Sequence, residues 1–96
     1  MSNDQYPCEC ELKFIEDYDV SVNSSQDLIH YILTLWHWPD YTKWDGEHLE
    51  LHTGGWSGNE SIIYVLEKTF FWFFYWQKSE RGGHYYFTIP KKKEAA

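Results

Sequence analysis

A chain of 96 residues carrying a net charge of −7, with 43% hydrophobic and 21% aromatic residues, fits one small α+β domain with a modest core. Each aromatic side chain buries roughly 150–250 Å², so six Trp, eight Tyr and six Phe can build that core without metal or a disulfide framework. The longest apolar run, Phe70 to Trp76, is far too short to span a bilayer, and Met1 is followed by polar residues, so no membrane association and no secretory signal are expected.

The charge is unevenly spread. Residues 1–60 hold twelve acids and two bases, net −10, while residues 61–96 hold three acids and six bases, net +3. The acidic part repels a phosphate backbone, which argues against direct nucleic-acid binding. It suits a basic protein surface, or it simply keeps the chain soluble.

In chain order, residues 1–9 read as loose, and Glu11 to Val20 as a short strand with Leu12, Phe14 and Ile15 turned inward. Cys8 and Cys10 make neither a disulfide framework nor a four-ligand zinc site, so free thiols in a reducing compartment, the cytoplasm, are expected. Ser24 and Asp27 have capping-box spacing and open a helix. Its inner face is Leu28, Ile32, Leu35 and Trp36, with Ile29 and Leu33 beside them, and Pro39 ends it. Asp45-Gly46 predicts a tight hairpin between Tyr41–Trp44 and Glu47–His52. In the second segment Leu49 and Leu51 face one way, and His48, Glu50 and His52 the other.

Residues 53–60 form a glycine-rich loop, and a Ser57–Glu60 capping box predicts a second helix running to about Lys68, with Ile62, Ile63, Val65 and Leu66 apolar. Phe70 to Trp76 reads as a strand because aromatics suit a pleated surface. Apolar on both faces, such a strand needs covering by the chain itself, by a second subunit as in a homodimer, or by a ligand or foreign protein. Lys78 to Gly83 is a turn, His84 to Ile89 the return strand, and residues 91–96 a solvated, flexible tail. The sum is a two-layer sandwich with an antiparallel or mixed sheet of three to four strands and two helices on one face.

Two glycine motifs carry the candidate chemistry. Thr53-Gly54-Gly55-Trp56-Ser57-Gly58-Asn59, following His52, offers backbone donors at a helix start, a place for phosphate or carboxylate. It lacks the Lys of a triphosphate loop and the spacing of a dinucleotide loop, and it equally suits a tight strand-to-helix turn. Arg81-Gly82-Gly83-His84 sets a fork-shaped cation beside a flexible turn. His48 and His52 stand roughly 13 Å apart on a strand, too far to share a metal, and no nucleophile with an obvious base stands beside them. No metal or cofactor is expected, and a binding protein is favoured over an enzyme. The favoured ligand is an anionic, nucleotide-like small molecule held by residues 52–59, Arg81 and His84, with Trp56 as a stacking surface. The alternative is an acidic module that masks a basic protein.

His52-Thr53-Gly54-Gly55-Trp56-Ser57-Gly58-Asn59-Glu60, Ile62-Ile63, Leu66, Phe71-Trp72, Trp76, Arg81-Gly82-Gly83-His84-Tyr85 and Phe87 together resemble a group of small proteins encoded by bacteriophages and prophages. The resemblance spans about residues 48–89. It implies a host-cell cytoplasmic setting and a counter-defence or regulatory role exerted by binding, on a host protein or a nucleotide signal, but no particular mechanism.

Overall fold

The computed structural model describes residues 6–90. The tail expected at 91–96 lies outside them, as do residues 1–5 of the stretch expected to be loose. Four strands, β1 (Thr42–Trp44), β2 (His48–His52), β3 (Trp76–Glu80) and β4 (His84–Thr88), form one antiparallel sheet in the order β1-β2-β4-β3. Among the described residues four α-helices accompany it, α1 (Glu9–Asp17), α2 (Ser25–Leu35), α3 (Ser57–Leu66) and α4 (Phe70–Tyr75), with a 3-10 turn at Pro39–Tyr41. The fold is α+β, as the sequence pattern indicates.

Register explains the layering. Leu49 stands opposite Phe87 and Leu51 opposite Tyr85, so these four share one face of the sheet. Leu49, Leu51 and Phe87 are buried there in a single cluster with Ile15 of α1, Leu28, Ile29 and Ile32 of α2, Ile62 and Leu66 of α3, and Phe71 of α4. The opposite face shows Lys43, Glu50, His52, His84 and Tyr86, none of them buried.

Several local expectations hold. The Ser24 hydroxyl accepts from the Asp27 amide at 3.2 Å and caps α2. The β1–β2 hairpin turns at Gly46, whose φ of +98° favours glycine. Asp45 Oδ1 accepts from the amides of Glu47 and His48 at 2.8 and 2.7 Å. Those two bonds hold the Asp45 carboxyl down to about 2.

Two strands of the sequence reading are helices, and residues 78–80, read as part of a turn, are strand because they pair with β4. Residues 9–17 coil because Glu11 reaches back to accept the Cys8 amide at 2.9 Å, a cap signal carried by an unusual N-cap residue. Leu12 and Ile15 then meet the core at helical spacing. Residues 70–75 coil because the Thr69 hydroxyl accepts the Trp72 amide at 3.4 Å. The aromatic run that looked pleated pairs at i, i+4 instead. Phe70 stacks on Phe74 with centroids 5.8 Å apart, and Trp72 on Trp76 at 5.9 Å. Pleated alternation between Phe70 and Trp76 is therefore absent. Phe71, Trp72 and Tyr75 turn toward the core while Phe70, Phe73 and Phe74 turn out.

In a strand, Phe71 and Phe73 would share a face and matter alike. In the helix they do not. Replacing Phe71 by alanine is expected to cost about 3–5 kcal/mol, and Phe73→Ala less than about 0.5 kcal/mol, in urea unfolding. Equal costs would contradict the helix.

Candidate functional site

The glycine loop and the β3–β4 turn meet. The ladder between β2 and β4 ends with His52 opposite His84, and the next amide, Thr53, donates to the Gly83 carbonyl at 2.9 Å. A side chain at Gly83 would collide with the Thr53 hydroxyl, and Gly83 sits at φ +86°. Both facts keep glycine there. His52 and His84 face each other through Nδ1 atoms 2.8 Å apart, and His52 Nε2 lies 3.3 Å from Glu50 Oε1. One imidazole of the pair must donate and the other accept. Arg81 is exposed in the same turn.

The loop itself is laid under aromatic rings. A side chain at Gly54 would come within 2.6 Å of Tyr41 and 2.8 Å of Trp38. One at Gly58 would strike the Trp56 indole. Trp56 in turn packs on His37 at 4.3 Å and on Tyr6 at 4.7 Å between centroids. Trp38 holds a φ of +65°, a conformation that costs a non-glycine residue about 1–3 kcal/mol and persists here within this ring cluster.

Backbone donors are partly spoken for. Gly55 donates to the Thr53 hydroxyl at 3.3 Å and Trp56 to the Thr53 carbonyl at 3.1 Å. Trp56, not Ser57, is the N-cap of α3, and the Ser57–Glu60 capping box does not form. The Ser57 hydroxyl lies 3.2 Å from that of Tyr6 instead. No side chain caps α3. Asn59 is fully buried, and its carboxamide is used up: it accepts from the His37 amide at 2.9 Å and donates to the carbonyls of His37 and Thr53 at 3.1 and 3.3 Å. A depression of about 530 Å³ lies elsewhere, lined by Ser24, Asp27, His30, Tyr75 and Ile89.

Of the residues singled out from sequence, His52, Thr53, Gly83 and His84 touch directly, Gly54, Trp56 and Asn59 bind the loop to residues 37–41, and Gly58 lies under Trp56. Gly55 and Ser57 are exposed on the loop surface. Among the described residues no group of three or more His, Cys, Asp or Glu side chains converges as a metal site, and no helix is long and apolar enough to cross a membrane.

Sequence reasoning missed the outer face of α4. Phe70, Phe73 and Phe74 are 52, 79 and 49% exposed, with Tyr64 and Trp76 exposed too. The Thr69 cap and the i, i+4 spacing of the rings were the signals that could have found it. Beside it, β3 is an edge strand of the sheet and exposed throughout. Lys78 donates to Glu80 at 3.3 Å and Tyr86 does so at 3.1 Å; these two bonds, Lys78 first, hold the Glu80 carboxyl below its usual range.

The chain matches no protein-family model, no curated protein and no solved structure.

Asn59 has three backbone partners that no other side chain replaces. Asn59→Ala is expected to cost about 2–4 kcal/mol in chemical unfolding, because it leaves buried groups unpaired. A loss under about 0.5 kcal/mol would show that the link carries no stability.

Proposed function

We propose that this chain is a protein-interaction module whose contact surface is the outer face of α4. The observation that carries this reading is the exposure of Phe70, Phe73 and Phe74 on consecutive turns of one helix, with Phe73 at 79%. Soluble monomers rarely leave such rings contiguous in water, and a patch of this kind marks an association surface. Aromatic anchors also supply most of the binding energy at protein interfaces. The resemblance to phage-encoded proteins makes a host protein the expected partner, and a second copy of the chain the other one. The acidic residues of α1, with Glu9, Glu16 and Asp17 exposed, favour a partner with basic surroundings through steering of the encounter.

A photo-cross-linking amino acid at position 73 should give a discrete protein adduct in host lysate, and the same probe at Lys13 on α1 none. The mass of the adduct separates a foreign protein from a second copy. Adducts at position 13 alone would move the contact to the acidic face, and none at either would remove the reading.

A second reading keeps an anionic, nucleotide-like ligand on the glycine loop. It is favoured by the contact of Thr53 with Gly83, which sets the loop beside the turn that carries Arg81, and by the absence of a side-chain cap on α3. Under it, a nucleotide at one hundred times its Kd should add about 2.7 kcal/mol of stability, lost in Arg81→Ala. Thermal-shift measurements with mono-, di- and cyclic nucleotides that move neither protein would dismiss this second reading.

A further inference from the structure

Cys8 takes part in the capping box of α1, but nothing in the proposed interaction uses the redox chemistry of the two thiols. Cys8 is the extended N-cap residue of α1, with φ −85° and ψ 168°, and Cys10 lies in the first turn. Their sulfurs are 2.8 Å apart, and both residues are exposed. A disulfide needs about 2.0 Å between sulfurs, so closure asks for less than about 1 Å of movement. The backbone that carries them is already fixed. The Cys8 carbonyl accepts from the amides of Glu11 and Leu12 at 3.0 Å each, and Glu11 Oε1 accepts the Cys8 amide at 2.9 Å. Ile15, fully buried, anchors the same helix in the core.

We propose that Cys8 and Cys10 form a reversible modification site that exchanges with small-molecule disulfides and closes to an intrachain disulfide. The Cys8 thiolate attacks one sulfur of the small disulfide, forms a mixed disulfide and releases one thiolate. Cys10 then gives up its proton, and its sulfur attacks Cys8 Sγ and displaces the second thiolate. The two cysteines lose two electrons to the small disulfide, which leaves as two thiols carrying the two protons. The order follows from the pair's own chemistry. The hydrogen bond between the thiols, and then the charge of Cys8, push the Cys10 thiol up, the direction that favours Cys8 as the first nucleophile. Exposure admits the reagent, and the fixed helix start makes the second step intramolecular and fast.

The site also borders the ring cluster. Tyr6, two residues before Cys8, packs on Trp56 and reaches Ser57 at the start of α3. Closing the disulfide fixes the side chain of the residue from which that arm departs.

The test uses reduced full-length chain, Cys8→Ser and Cys10→Ser, each treated with the neutral reagent hydroxyethyl disulfide and read by intact mass and alkylation. The wild-type chain should lose two hydrogens, keep no adduct, resist alkylation, and regain two alkylatable thiols with dithiothreitol. Each single variant should instead keep one adduct, because no second thiol is left to expel it. Both cysteines are exposed, so circular dichroism should show all three chains folded alike. A wild-type chain that keeps one or two adducts, or that links to a second chain, would overturn the proposal.

Discussion

The carboxamide of Asn59 is the join on which the rest of the arrangement depends. One side chain, at zero exposure, holds both backbone groups of His37 and the carbonyl of Thr53. It thereby fixes the end of α2, the end of β2 and the first turn of α3 at one point. Buried polar groups are costly unless fully satisfied, and this network leaves none of its atoms unpaired. Satisfied networks of this sort impose one geometry where apolar packing alone tolerates several. The Trp36 indole adds a bond to the His52 carbonyl at 3.2 Å across the same junction.

From that junction the glycine loop takes its shape. Its glycines serve close packing: Gly54 lies under Trp38 and Tyr41, Gly58 under Trp56, and Gly83 against Thr53. The rings and the loop are therefore one unit, and the strain at Trp38 is held by it. Any ligand at this place would meet a surface of aromatic edges beside a helix start, with the exposed Arg81 in the adjoining turn.

The sheet divides the molecule chemically. One face is covered by helices and contributes Leu49, Leu51 and Phe87 to the core. The other carries the His52–His84 pair, Glu50 and Tyr86, all half-buried. The aromatic surplus follows a similar division within a single short helix. Phe71 has no exposure and packs on Phe87, while Phe73 two residues later stands in water. One small core cannot accept every ring of the run, and helical geometry decides which ones it rejects.

The sequence by itself determined the α+β class, the Ser24 cap, the Asp45-Gly46 hairpin, and the strands at residues 48–52 and 84–88. These rest on signals local to a few residues: a cap spacing, a positive-φ turn, a two-residue alternation. Only the tertiary structure decided residues 9–17 and 70–75. Both are short and their apolar patterns suit either period, so a cap from Glu11 or Thr69 and the packing of Ile15 and Phe71 tipped them into helices. The candidate site divides the same way. The two glycine motifs are plain in the sequence, but they lie nearly thirty residues apart. Their meeting is produced by antiparallel pairing of β2 with β4, which sets Thr53 against Gly83. The outer face of α4 is legible only once the helix exists, because the side on which a ring emerges depends on the turn per residue.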